Sequence, residues 1–505
     1  RDQRRHHRGD RKPCPNPAWI RIPGGLAERN GQNTRRRRVI TDSERPIEAG
    51  AARRRVGLLA IGLGTLVGPL DSSVNIAFPR ITQDLGIEIE AIQWVVICFV
   101  LTNTSLMLVF GKLGDLFGHK RIFRMGLIVC ALAFVLCAAA PNFGWLLFAR
   151  VIQGIGTGLV MACSPALVTA LYPENQRARA LGVFTLIFGL GAVLGPSLGG
   201  FMVQAWGWPS VFWFRAPLAL TAALLLFAMP TPPKKSATAF DLPGAILLTL
   251  ALGAMLMSIN QLQRADGAMT MTAGLALVSV IAFVGFVIQE SRFSNPIIRL
   301  NVFRDIDFTV LNLTNTALNL VGFSVMLFVP YYLIQVSGYP TTTGGLILAT
   351  APLGVVLAGP LGGRLIGRIP ANRLAFVGVL AVVVALLGIS TWRDPPALAA
   401  TVAVLFLHGF GLGLYQVSYM HIVTGTLSRA DRGVAGSLAL VTRSTGVVLG
   451  ATILSTIYAH ASTQGGGDGF VAGFVLTFRY AGAGLFVFLL ATLIRPRIWL
   501  HRDAS

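Results

Sequence analysis

Charge is what this chain lacks most. Only 12% of its 505 residues are charged, against 54% hydrophobic. A soluble domain carries about 25% charged residues, so most of the chain cannot face water. Acids are scarcer than bases, 21 Asp and Glu against 42 Lys and Arg. The five cysteines (Cys14, Cys98, Cys130, Cys137, Cys163) have no metal-ligand spacing, and four lie in apolar runs, where a free Cys behaves as a small hydrophobe. That pattern argues against a disulfide framework and against a zinc site. There is no nucleotide-binding glycine loop, no H-E-x-x-H and no pair of carboxylates within an apolar run. The segments between apolar runs are too short for a catalytic domain. The chain is expected to be no enzyme, to hold no metal and to need no cofactor.

What it has instead is long apolar runs. A helix crosses the bilayer core with ~20 predominantly apolar residues. Fourteen runs qualify as predicted spans: 56–80, 91–112, 122–140, 143–170, 178–203, 209–229, 242–261, 269–289, 307–335, 342–363, 373–391, 396–420, 433–458 and 473–494. The expected fold is therefore an all-α polytopic membrane protein. Its parts are a six-helix bundle at 56–230, two additional spans at 242–290 and a second six-helix bundle at 306–494, with a tail at 495–505. The stretch PTPPKKSATAFD (230–241) ends the first set, and ESRFSNPIIRLNVFRD (290–305) bounds the extra pair. Parallel repeats enclosing a site at mid-membrane are a transporter architecture.

An even number of spans puts both termini on one side, and positive charge says which. With the N-terminus inside, the inner loops and C-terminal tail hold nineteen Lys and Arg, and the outer loops hold three, Arg80, Arg264 and Arg393. Both termini are thus expected in the cytoplasm, in a multi-pass protein of a bacterial cytoplasmic membrane. Residues 1–55 carry sixteen Lys and Arg against six Asp and Glu. Such a segment is expected to be disordered. It either marks the inside or binds anionic lipid of the cytoplasmic leaflet; nucleic acid is not an expected partner. The first apolar run is too long for a secretory signal and lacks a small-residue cleavage site.

Residues 189–200, GLGAVLGPSLGG, are the most informative stretch. Gly191, Gly195 and Gly199 recur every four residues and so share one helix face. Five glycines and Pro196 are poor helix formers in water. In a bilayer small residues let neighbouring backbones approach closely, and partners re-satisfy freed carbonyls. The stretch reads as a bendable, tightly packed membrane helix.

Ionisable groups inside spans are costly and mark function by default. One acid is clearly embedded, Asp71 in LVGPLDSSVNIAF, with Asn75 one turn on. Shielded from water, it is a candidate for proton exchange; the alternative is a hydrogen-bonded packing carboxylate. Four arginines are embedded as well. Arg150, with Gln153 one turn on, is placed to hold a carboxylate, a water chain or an anion, but not to carry a proton. Arg443 lies near mid-span. Arg215 and Arg479 are expected to snorkel towards an interface. The loop GKLGDLFGHKR (111–121) has its own logic. Gly111, Gly114 and Gly118 permit a tight turn. Asp115, beside Lys120 and Arg121, is placed to accept from a helix N-terminus or to pair with an arginine of the same half, as a latch.

These residues match a family. GKLGDLFGHKR resembles the signature loop of the major facilitator superfamily, G-x-L-a-D-r-x-G-r-k, through Gly111, Leu113, Asp115, Gly118, Lys120 and Arg121. Arg150, Gln153, Gly154 and Gly156 resemble its fourth-span motif R-x-x-q-G-x-g. Gly182, Gly191, Gly195, Pro196, Gly199 and Gly200 resemble the fifth-span antiporter motif G-x8-G-x3-G-P-x2-G-G without a gap. LDSSVNIAFP (70–79), NPIIRLNVFR and the extra pair of spans look like the fourteen-span drug:proton antiporter branch. The likeness covers roughly 56–494. There are departures: Gly207 and Arg215 stand where the family often has Arg and Asn, and Gly363 stands where the repeated loop would have Asp.

The resemblance implies proton-coupled export of hydrophobic drugs or antibiotics. Asp71 and Arg150 would couple the proton, and residues 111–121 would gate. Substrate contacts are expected from Asn75, Gln153, Arg443, Tyr331 and Tyr332, with Phe188, Trp213, Phe323, Phe328 and Tyr415 as looser candidates. The expected partners are a small hydrophobic substrate, protons and the lipid bilayer. A monomer driven by the proton gradient is expected. An importer of a small solute and a non-transporting membrane sensor are the alternatives.

Overall fold

The computed structural model describes residues 51–172, 176–229, 241–263, 269–293, 305–426, 432–464 and 469–500. The basic tail up to residue 50, the stretch 230–240, NPIIRLNVFR and the last five residues lie outside them. The described residues are helical and contain no strand. The first span is α1 (Ala51–Leu66), a 3-10 turn (Pro69–Ser72) and α2 (Ser73–Leu85). Then come α3 (Gln93–Phe117), α4 (His119–Ala138), α5 (Phe143–Ala170) and α6 (Arg177–Trp206). The short α7 (Ser210–Trp213) and α8 (Arg215–Leu225) make the sixth span. The pair α9 (Leu242–Gln263) and α10 (Met269–Arg292) follows. The second set is α11 (Ile306–Tyr331), α12 (Thr341–Leu348) with α13 (Thr350–Ile366), α14 (Ala371–Ile389), α15 (Leu398–Thr426), α16 (Arg432–Gln464) and α17 (Gly469–Thr492), before the short α18 (Arg497–Leu500).

Twelve of these helices are, among the described residues, long and apolar enough to cross a membrane. The other two of the fourteen expected spans are α9 and α16. Both are helical.

Local sequence explains the boundaries. Asn142 caps α5 by accepting from Trp145 N at 2.9 Å, and Asp305 caps α11 by accepting from Asp307 N at 2.9 Å. The α3–α4 turn closes on Gly118 at φ +94°, a conformation that only glycine adopts without strain. The first span is not the continuous helix expected. Pro69 has no N–H to donate, and the chain breaks at Val67–Gly68 into the turn that carries Asp71.

Two bundles result. In the first, α5 packs on α3 and α4, α8 on α1 and α4, and α6 on the first span. In the second, α15 packs on α13 and α14, α11 on α16, and α17 on α14 and α16. The additional pair packs on itself and on α3 and α16, one helix from each bundle.

The halves repeat in detail. Gly154, Gly156 and Gly158 of α5 have counterparts in Gly409, Gly411 and Gly413 of α15. A Cβ on Gly156 would stand 2.7 Å from Cys130 N in α4, and one on Gly411 would meet Gly378 O in α14 at 2.6 Å. Gly154 faces Phe99 O in α3, and Gly409 faces the Ala351 carbonyl in α13. These spacings put backbone against backbone, so each small residue is a packing requirement.

We call proximal the face with the start of α1, where Gly57 touches Leu171 and Met229 at the ends of α5 and α8. The opposite face is distal. The bundles meet near mid-span, where a Cβ on Gly189 would lie 2.7 Å from Val356 Cγ2, and again in the distal half. A Cβ on Gly200 would lie 3.1 Å from Gly345 Cα, and Thr342 N donates to Gln204 Oε1 at 2.9 Å. Nearer the proximal side, Gly111, Gly182, Gly359 and Gly363 have no such neighbour within 4 Å.

Candidate functional site

The broken first span delivers Asp71 into the first bundle. Its Oδ1 accepts from Arg150 Nη1, Gln153 Nε2 and Arg215 Nη1, each at 2.7 Å. Its Oδ2 accepts from Arg150 Nη2 at 2.8 Å, so Arg150 grips the carboxylate with both ends of its fork. Arg150 is aimed by Val95 O, which accepts from Nε at 2.8 Å, and by Gln153 Oε1, which accepts from Nη1 at 2.8 Å. Its Cζ lies 4.5 Å over the Phe99 ring. Arg215 is aimed by Val211 O, 2.7 Å from Nε, and lies 4.6 Å over Phe134. Its Nη2 has no partner.

Arg215 therefore does not snorkel. It is fully buried and is the second cation on Asp71. The site carries two fixed positive charges against one carboxylate. Side-chain exposure is 1% for Arg150, 0% for Arg215 and 13% for Asp71. Asp71 is the least buried side chain of this trio. Proton transfer to Asp71 would turn an acceptor of four charge-assisted hydrogen bonds into a neutral donor and leave both guanidiniums without their counter-ion. At an effective dielectric of about 20, opposite charges 4 Å apart attract by ~4 kcal/mol. A single proton thus has a large lever on local structure.

The glycine helix holds this segment. A Cβ on Gly191 would lie 2.7 Å from Pro69 Cγ, one on Gly199 2.8 Å from Ser73 O, and one on Gly195 would strike Ser72 Oγ. Ser72 Oγ lies 3.3 Å from Ala192 O in α6 and 2.8 Å from Pro69 O. Pro196 O and Gly200 face the other way, onto Gly345 of α12. One helix therefore touches the Asp71 turn with one face and the opposite bundle with another. Gly182 stands apart at the proximal end, exposed.

The other expected site residues fall elsewhere. Asn75 is half-buried on α2. Tyr331 and Tyr332 are fully buried among aromatics, Tyr332 stacked 4.6 Å from Phe474 and Tyr331 6.4 Å from Phe470. Phe323, Phe328 and Tyr415 are buried too, and Tyr415 donates to Leu311 O. Phe188 is half-buried, and Trp213 is exposed. Arg443 lines a cavity of about 240 Å³ in the second bundle with Asn315, Asn319, Gln416, Tyr419, Met420 and Ala439. Arg479 is exposed.

In the α3–α4 turn, Asp115 faces His119 Nε2 at 3.5 Å instead of an arginine. Gly111 is open, and Gly114 is pressed against His119 and Cys163. Lys120 donates to Met229 O at the end of the sixth span, while Arg121 is exposed. The turn is thus tied to α8 through Lys120. Among the described residues no group of three His, Cys, Asp or Glu is placed to hold a metal.

Sequence reasoning missed three groups. Arg215 lies 144 residues from Asp71, and only the departure of WFRAP from the family pattern pointed to it. Asp241, read as linker, is buried and accepts from Gly244 N and from Gln289 Nε2, pinning α9 to α10. His408 occupies the place in α15 that Gln153 has in α5. It is buried, and neither ring nitrogen has a partner.

A family profile described as Major Facilitator Superfamily matches residues 61–451. The chain is similar to the riboflavin transporter RibZ of Clostridioides difficile, 28% identical across 80% of this chain and 88% of that one. It is similar to the tetracenomycin C resistance and export protein of Streptomyces glaucescens, 28% identical across 80% of this chain and 75% of that one. A crystal structure of the peptide transporter POT in complex with sulfate shares the fold, with a TM-score of 0.68 at 15% identity over 92% of this chain and 98% of that chain.

Proposed function

The chain belongs to the major facilitator superfamily, and we propose that it exports small hydrophobic compounds, drugs or antibiotics among them, in exchange for protons. In this reading fourteen spans cross a bacterial cytoplasmic membrane, both termini are cytoplasmic, and the protein acts as a monomer. The proximal face is the cytoplasmic one, on the count of nineteen inner to three outer basic residues.

One observation carries the reading: Asp71 sits on a broken, glycine-clasped turn, and the clasping helix also forms the distal contact between bundles. With the distal half closed, cargo enters from the cytoplasm or inner leaflet. Once the distal side opens, Asp71 is the group a proton from outside reaches. Neutralising it releases Arg150 and Arg215, and their mutual repulsion loosens the turn at Pro69–Ser72. Because Gly191, Gly195 and Gly199 leave no slack against that turn, α6 must follow. Its contact with Gly345 and Thr341 changes in consequence, and the proton state of Asp71 is read at the distal gate. One charge crossing 100 mV supplies ~2.3 kcal/mol, about fiftyfold in cargo concentration.

The export protein for tetracenomycin C among the relatives supports this direction. The riboflavin transporter supports a second reading, movement of a more polar solute, and the polar cavity at Arg443 favours it as well. Inverted membrane vesicles separate them. Acidifying the lumen is expected to load a hydrophobic dye into vesicles holding the protein, and addition of a protonophore to release it. Loading that ignores the proton gradient, or dye accumulation only in right-side-out vesicles, would refute export by antiport.

A further inference from the structure

We infer that the cavity at Arg443 is an anion subsite, and that the cargo class it serves is the amphiphilic acid: an apolar body bearing one carboxylate or comparable anion. This inference rests on the transport reading above and adds to it a sign of charge.

The cavity is built by three helices of the second bundle: Asn315 and Asn319 from α11, Gln416, Tyr419 and Met420 from α15, and Ala439 and Arg443 from α16. Most of its polar groups are already engaged. Asn315 Nδ2 donates to Thr442 Oγ1 at 2.8 Å, Asn319 Nδ2 to Asn315 O at 2.8 Å, and Tyr419 OH to Asn312 Oδ1 at 2.7 Å. Arg443 and Gln416 have no such engagement among the described residues. The cavity thus presents a free guanidinium and a free amide, and its lining contains no acid.

Its place beside the seam between bundles makes the free cation significant. Ser444, the next residue, donates to Thr104 Oγ1 of α3 at 2.8 Å across the seam between bundles. Thr104 lies five residues along α3 from Phe99, which lies under Arg150, about 7.5 Å of helix rise, so the α16 backbone next to Arg443 passes close to the layer of the Asp71 site. Arg443 is itself exposed along this cavity, so its guanidinium is open to an incoming ligand, and an anion there would make a charge-assisted hydrogen bond. The nearby carboxylate, Asp71, is already bound by two arginines. An anion that Arg443 binds would come from outside the chain, and a planar fork suits a carboxylate. The same charge count disfavours a cationic cargo, since Asp71, Arg150, Arg215 and Arg443 together are two charges positive. At about 240 Å³ the cavity is smaller than the ~300–1,000 Å³ typical of drug sites. It would seat the anionic end and leave the apolar body in the gap between bundles.

The test is equilibrium binding to the full chain in phosphatidylcholine nanodiscs, with naphthoate and naphthamide as a pair matched in shape and differing in charge. Naphthoate is expected to bind more tightly, and Arg443→Gln to weaken it about ten- to hundred-fold while leaving naphthamide unchanged. Arg443→Lys should recover part of the loss. Arg443 has no hydrogen-bond or ion-pair partner among the described residues, so Arg443→Gln is expected to fold as the parent does, and its melting curve checks that. Equal binding of the two probes, or equal effects of Arg443→Gln on both, overturns the inference. Naphthoate binding suppressed by phosphatidylglycerol in the disc would give the subsite to a lipid headgroup and overturn the cargo assignment. The assay needs no gradient. A protein that binds naphthoate through Arg443 but moves nothing uphill refutes export alone. One that exports yet treats the probes alike refutes the anion subsite alone.

Discussion

Replacing Gly345 by alanine puts one methyl group into the distal gate. A Cβ there would strike Pro196 O and stand 3.0 Å from Gly200 Cα and 3.2 Å from Gly200 N. All three are backbone atoms of α6, so no side chain can rotate away. Either α6 retreats from α12 or the gate opens. Overpacking of this kind costs about 1–3 kcal/mol. The cost falls on the distally closed state, where these atoms meet. At ~1.4 kcal/mol per tenfold, the balance between closed and open gates shifts by about fivefold to more than a hundredfold. Spin labels at exposed Trp206 and Pro340, beside the two helix ends, report the gap as a distance distribution. Gly345→Ala is expected to add or enlarge a longer-distance population. Gly363→Ala, where nothing lies within 4 Å, should leave the distribution unchanged. Unaltered distances in Gly345→Ala would refute the assignment of this contact as the gate.

Other expectations follow from the charge site and its surroundings. Arg150→Gln removes the forked partner of Asp71 and should cost about 3–5 kcal/mol. Arg215→Gln removes one charge-assisted hydrogen bond, about 1.5–3 kcal/mol, so thermal denaturation in detergent should rank Arg150→Gln below Arg215→Gln, and the reverse order would contradict the bonding pattern. His408→Leu replaces a buried ring with no hydrogen-bond partner by an apolar side chain. It should leave the melting temperature unchanged or raise it, and a large drop would show an unseen partner. Asn142→Ala should cost ~1 kcal/mol through its lost cap, measured by the same melt and leaving transport intact.

Much of the helix order was legible because bilayer thickness and basic-loop bias constrain it from composition alone. The glycine face of α6 and the Gly118 turn were legible because small residues at fixed spacing have few other uses in a membrane. The Asp71 site was half legible: Arg150 and Gln153 share a helix face, so their spacing groups them. Arg215 was not, because nothing local distinguishes an arginine that snorkels from one that turns inward. The break at Gly68–Pro69 was hidden by an unbroken apolar run. The burial of Tyr331 and Tyr332 was hidden for a related reason. Hydroxyls on a span suggest a polar lining, yet here the rings stack on Phe474 and Phe470. The partner Asp115 has here, His119 one turn on in the same corner, was not legible, because histidine at that spacing has no fixed role.

The most direct test of the central claim removes the carboxyl while keeping the site's charge. Asp71→Asn alone leaves two buried cations unbalanced, so loss of transport there mixes stability with mechanism. The double variant Asp71→Asn with Arg215→Gln has the same net charge as the parent. In proteoliposomes it is expected to keep cargo exchange down a concentration gradient and to lose proton-driven accumulation. Accumulation at the parental level from that variant would show that Asp71 does not couple the proton.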